Sequence, residues 1–179
     1  MSRIGNKPVD IQSDSSITLD NNVVTVKGPK GQLSCQVDSL IEISLETNQV
    51  ILRRKSENKE IRAKHGLYRS LIHNMVIGVT KGYESEMFLQ GIGYKVIAKG
   101  TDLEFSLGYS HPVLFKAPNG IKFQVDAQDK FKVLGIDKQL VGEVCAKIKQ
   151  LRKRDAYKGK GIHFVGDIIR KKQGKTVKK

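Results

Sequence analysis

The chain has 179 residues, of which 32 are Lys or Arg and 18 Asp or Glu, giving a formal charge of +14, and 39% of it is hydrophobic. That length holds one ordinary domain or two small ones with modest cores, and the 28% charged fraction is that of a folded protein, not of a disordered polyelectrolyte. No apolar run approaches the roughly 18 residues of a membrane helix, so membrane spanning is excluded; Met1–Pro8 offers no secretory apolar core and Cys35 and Cys145 form no metal-ligand spacing, so a reducing, cytoplasm-like setting is expected.

In chain order, short stretches with two-residue alternation come first, punctuated by turns at Asp20-Asn21-Asn22 and Thr47-Asn48. The charged stretch Arg53 to Glu60 then reads as an exposed loop. A helical period follows through Tyr68, Leu71, Ile72, Met75, Val76 and Val79, ending near Gly78 or Gly82, with His73 on its exposed face. Strands resume between turns at Lys99 to Asp102, Pro118-Asn119-Gly120 and Asp126 to Asp129. A second amphipathic helix runs through Val141, Val144, Cys145, Ile148 and Leu151, with Asp137 placed to cap it.

The two halves superpose at a shift of 80 residues. Gly28 falls on Gly108, Leu33 on Val113, Ile41 on Ile121, Ile43 on Phe123, Leu45 on Val125 and Ile51 on Phe131. Strand alternation alone matches inward positions at any even shift, but not the shared order of several strands and then one helix. The expectation is an α+β fold of two duplicated small domains, 1–82 and 83–179, each an antiparallel sheet covered by one helix, with a longer insert before the first helix.

Charge is unevenly spread. Residues up to Ala146 carry 19 basic and 16 acidic side chains, whereas Lys147–Lys179 carries 13 and 2, so a net +11 sits in the last 33 residues. Such asymmetry calls for a polyanionic partner, foremost a nucleic acid. The interleaved Tyr157, Ile162, Phe164, Val165, Ile168 and Ile169 indicate that this segment docks on its own domain with its cations outward. For the last five residues a merely solvated tail is the alternative.

Signals for catalysis are thin. Gly174-Lys175-Thr176 lacks the upstream glycine of a phosphate-binding loop, since position 169 is Ile. Gly91-Ile92-Gly93 has Val96 where a dinucleotide fingerprint needs glycine, and reads as a bulge or a close backbone approach. His65, His73, His111 and His163 stand singly, Asp155 and Asp167 read as ion-pair or capping partners, and Cys145 as a buried inert thiol. No catalytic residue, metal or cofactor is expected.

The strongest constellation is Arg152 to Phe164. Gly159 and Gly161 permit close backbone approach to phosphate or ribose, and Lys158 and Lys160 bring cations to that backbone. Tyr157 and His163 are placed to stack on unpaired bases or to contact ribose hydroxyls, which favours structured RNA with loops over duplex DNA; for Tyr157 a ring that anchors the loop is an equal reading. Lys149, Arg152, Lys153 and Arg154 extend the surface from the helix, and Arg170, Lys171, Lys172 and Lys175 from the tail. A free RNA chaperone or DNA-architectural protein would use the same cations, and an enzyme on phosphorylated substrates would use Lys158 and Lys160 as clamps but lacks a nucleophile or base.

Six motifs in order carry a family resemblance: Ser2-Arg3-Ile4-Gly5-Asn6-Lys7-Pro8, Val26-Lys27-Gly28-Pro29-Lys30-Gly31, the run Tyr68 to Val76, Leu107-Gly108-Tyr109-Ser110-His111-Pro112, Gly135-Ile136-Asp137-Lys138-Gln139 and Tyr157-Lys158-Gly159-Lys160-Gly161-Ile162. Together they resemble the bacterial-type ribosomal protein L-six family of the large subunit, nearly end to end. The resemblance implies a ribosomal structural protein that binds large-subunit rRNA at the base of the stalk, near the sarcin-ricin region, mainly through its C-terminal domain. Its neighbours would be ribosomal proteins of the stalk base and translation factors, with no membrane. Tyr157 to Gly161 match the family's signature loop, and Tyr109, Ser110 and His111 lie in a second loop that implies a secondary RNA contact. Where the family usually has a Pro-Glu-Pro type segment, this chain has Arg154-Asp155-Ala156, which leaves the loop less preordered when free.

Overall fold

A computed structural model of the chain describes residues 4–46, 48–168 and 170–175. Ser2 and Arg3 of the first motif, Thr47 of the second turn, Ile169 and the terminal residues 176–179 lie outside the described residues. The chain forms two compact units, Met1–Tyr83 with Ile136–Lys138, and Glu84–Gly135 with Gln139–Lys179.

In the first unit, strands β1 (Val9–Asp10), β2 (Ser16–Asp20), β3 (Val23–Gly28), β4 (Gly31–Gln36), β5 (Ile41–Leu45) and β6 (Gln49–Arg54) precede one helix, α1 (Lys59–Thr80). They pair antiparallel in two three-stranded sheets, β2-β3-β4 and β1-β6-β5. Alternation works as the sequence implies: Val24 and Val26 of β3 are buried while Val23 and Lys27 are exposed, and Val50 and Leu52 do the same on β6. These residues meet Ile72, Met75, Val76 and Val79 on one stripe of α1. Gly28 is required at the crossing, because a Cβ there would stand 2.8 Å from the carbonyl oxygen of Val79.

Two features at α1 differ from expectation, the stretch before it and His73. The stretch Arg53 to Glu60 is not a loop insert: Arg53 and Arg54 finish β6, Lys59 and Glu60 open the helix, and only Lys55 to Asn58 connect them. The charges mark solvated ends of regular elements, with Arg53 opposite Glu42 and Arg54 ion-paired to Glu57 at 2.7 Å. His65 is buried, its Nε2 2.9 Å from the Leu52 carbonyl oxygen. His73 is half-buried instead of exposed, and that burial is the main cause of its lowered pKa.

The second unit repeats the plan with β7 (Tyr83–Gln90), β8 (Lys95–Lys99), β9 (Asp102–Ser106), β10 (Val113–Phe115), β11 (Ile121–Ala127), β12 (Lys130–Gly135) and helix α2 (Lys138–Leu151). Strands β8 to β12 fall on β2 to β6 at the shift of 80, and the end of β7 falls on β1. The start of α2 falls within one residue of that of α1, so neither copy carries a longer insert before its helix. The sheets are β10-β9-β8 and β11-β12-β7-β13, the last strand being β13 (Gly161–Phe164). Phe105 and Phe131 meet edge to face at 5.5 Å in the core, with Val144, Cys145 and Ile148 of α2 buried beside other apolar side chains of the unit.

The first copy has no counterpart of β13 among the described residues. It pairs antiparallel with β7, Gly161 opposite Gln90 through Phe164 opposite Met87. Ile162 and His163 are thereby buried and Phe164 half-buried, whereas the side chains of Tyr157, Val165 and Ile168 are exposed, so among the described residues only part of the apolar set docks; Ile169 lies outside them. The connection from α2 to β13 contains the glycine-lysine segment.

Candidate nucleic-acid interface

Helix α2 ends at Leu151, and the chain must reverse within nine residues to enter β13. Asp155 organises that reversal. Its carboxylate accepts hydrogen bonds from the backbone N–H of Tyr157 at 3.1 Å and of Lys158 at 2.9 Å, while its own N–H donates to the Lys160 carbonyl at 2.8 Å. Gly159 N–H donates back to the Asp155 carbonyl at 3.0 Å. The loop is therefore ordered by a side chain, and the loss of preorganisation expected from the missing prolines is offset by this Asx-type turn.

Those amide donors, Lys158 first and Tyr157 second, hold the Asp155 carboxyl below its ordinary pKa. A carboxyl depressed on folding contributes order above its unfolded pKa, and that contribution fades as pH falls through the folded value. Amide exchange at Tyr157 and Lys158 should accordingly be slowed at neutral pH and lose that protection only once pH has fallen below the ordinary carboxylate range. Asp155→Ala should abolish the protection at every pH while leaving the amides of β7 and β12 protected; unchanged exchange in the variant would refute the turn's role.

The two glycines and His163 lie beneath the surface. Gly161 has φ +141°, and a Cβ on it would stand 2.7 Å from the Cα of Arg154. Gly159, at φ +74°, turns the chain so that its carbonyl meets His163 Nε2 at 2.9 Å. The His163 ring is fully buried and stacks on Phe88 at 5.1 Å. In place of the phosphate approach and base stacking read from the sequence, these three groups pack the loop against its own domain. Glycine serves close backbone contact in either role, so the pattern alone does not separate the two.

The cations divide similarly. Lys149 pairs with Asp167 at 2.8 Å and lies 4.6 Å over the Phe164 ring, which ties the chain after β13 to α2. Lys153, Arg154, Lys158, Arg170, Lys171, Lys172 and Lys175 are exposed, and Arg152 and Lys160 half-exposed. Lys172 N–H donates to the Ala156 carbonyl at 2.9 Å, which brings the tail's cations beside the loop. Tyr157 is 57% exposed, so its ring is free to stack, as the stacking reading requires. The second loop is also present: Tyr109, Ser110 and His111 are exposed, the Tyr109 hydroxyl donates to the Leu151 carbonyl at 2.8 Å, and the Arg152 guanidinium lies 5.0 Å over the Tyr109 ring.

Tyr94 escaped the sequence reading. Its ring rests against Gly91, where a Cβ would stand 2.8 Å away, and Gly108, where it would stand 3.4 Å away. Both phenols act on Arg152, Tyr109 first and Tyr94 second, raising its pKa. The Gly91-Ile92-Gly93 pattern ahead of Tyr94 was the available signal. No group of His, Cys, Asp and Glu among the described residues is arranged to hold a metal ion.

The arrangement is thus a folded, hydrogen-bonded loop that carries a one-signed surface with an exposed aromatic ring, suited to hold phosphates and stack bases. A protein-family model described as Ribosomal protein L6 matches residues 11–82 and 90–164, the two repeated segments.

Proposed function

This chain belongs to the ribosomal protein L6 family and is a protein of the large ribosomal subunit, and from that premise we propose that it is of the bacterial type and binds large-subunit rRNA through its C-terminal domain, residues 83–179. The binding place is the stalk base near the sarcin-ricin region, as the resemblance of its motifs implies. Contact falls to Arg152, Lys153, Arg154, Tyr157, Lys158 and Lys160 of the loop and to the cations from Arg170 to Lys175. Gly159, Gly161 and His163 hold the loop in shape and Lys149 holds the chain after β13. The domain of residues 1–82, less basic than the last 33 residues, faces neighbouring ribosomal proteins, and translation factors pass the same region. The role is structural, without catalysis, in a cytoplasmic ribosome. The observation that carries this reading is the cluster of exposed cations on the ordered loop between α2 and β13. No helix among the described residues is long and apolar enough to cross a membrane.

Sucrose-gradient sedimentation of lysate at moderately high salt, following the tagged protein, tests it. Stoichiometric migration with the large subunit is expected. Migration at the top of the gradient, or scattered over many nucleic-acid fragments, would refute it in favour of a free chaperone.

A further inference from the structure

We propose that the cleft beside the loop, between Tyr94, Tyr109 and Arg152, is a subsite for one unpaired nucleotide of the bound RNA, with the base on the Arg152 guanidinium and the phosphate on Lys153 and Lys160. The proposal rests on the RNA-binding reading above and adds what is recognised. The cleft has a volume of about 400 Å³ and is lined by these five residues together with Gln150, Leu151 and Asp155, which places it at the lower end of small-ligand sites, about 300–1,000 Å³.

Its walls are fixed before any ligand arrives. The Tyr109 hydroxyl is bonded to the Leu151 carbonyl, the Arg152 guanidinium sits over that ring at 5.0 Å from its centroid, and Tyr94 is seated against Gly91 and Gly108. A guanidinium stacked on one face by a tyrosine offers its other face to a second π-system, and a base is planar. Paired bases in an A-form helix present no free face to such a cleft, so the ligand is an unpaired nucleotide. Asp155 does not oppose the phosphate strongly, because both of its carboxylate oxygens accept loop amides. Gln150 supplies an amide able to donate and accept at a base edge. The inference also gives one purpose to two patterns that the loop leaves unused, the glycines before Tyr94 and the Gly108-Tyr109 turn.

The test uses the full chain and protein-free large-subunit rRNA in filter binding across a salt series, with ultraviolet crosslinking of the complex. Arg152→Lys keeps the charge and removes the planar stacking group, so affinity should drop about tenfold with an unchanged salt slope. Tyr109→Ala should lose as much, Tyr109→Phe clearly less, and crosslinked nucleotides should map to Tyr94 or Tyr109. Wild-type affinity in Arg152→Lys, or crosslinks confined to Tyr157, would overturn the subsite while leaving RNA binding standing. Failure of the wild-type protein to bind the rRNA would overturn both readings.

Discussion

Gly161→Val should destabilise the C-terminal unit by about 2–4 kcal/mol and abolish tight rRNA binding, a larger loss than any single charge removal in the loop. Two terms add. Gly161 adopts φ +141°, a region essentially reserved for glycine, and its new Cβ would meet backbone atoms: 2.7 Å to the Arg154 Cα, 2.9 Å to the Arg154 nitrogen and 2.9 Å to the Lys153 carbonyl oxygen. Backbone atoms cannot rotate aside as a side chain does. Relief requires the strand to move, and Gly161 is the first residue of β13, paired with Gln90, so movement there pulls at Ile162, which is fully buried. Urea denaturation followed by a probe in the second unit reads the effect. A midpoint equal to that of the wild type would show that the contact between the loop's two limbs is dispensable.

Lys158→Ala combined with Lys160→Ala should weaken rRNA binding on the order of thirtyfold near 0.1 M salt and reduce the slope of log affinity against log salt by about 1.4–1.8, with folding intact. The arithmetic is that of two released counterions. Neither ammonium is bonded within the described fold, and Lys160 serves the loop through its backbone carbonyl, which alanine retains. Filter binding across salt and a circular dichroism melt separate the terms. If the melt is unchanged and the slope is too, these lysines do not face RNA.

The two variants divide the glycine-lysine segment into its parts. The lysines are readable as surface cations because an exposed ammonium is the ordinary place of a lysine in a basic loop, whereas the glycines and His163 look the same in sequence whether they admit a phosphate or a neighbouring backbone. Their burial depends on β13 pairing with β7, residues some 70 positions apart. Tyr94 was missed for a related reason: its value comes from Arg152 and Tyr109, brought near by α2 and the β9–β10 connection. The charged stretch Arg53 to Glu60 was misread as a loop because solvated strand ends, helix starts and loops share one composition.

The sequence by itself determined the duplicated α+β plan, since hydrophobic periods of two and of 3.6 recur in one order at a shift of 80, and that signal is local and additive. It also determined the family, through motifs spread along both repeats, and the sign and place of the charge. Tertiary structure alone decided which members of the basic segment face outward, that Asp155 and not proline shapes the loop, and that Tyr94, Tyr109 and Arg152 share one cleft. Exposure, hydrogen-bond partners and cleft walls arise from contacts between residues distant in the chain, so neither composition nor spacing encodes them in readable form.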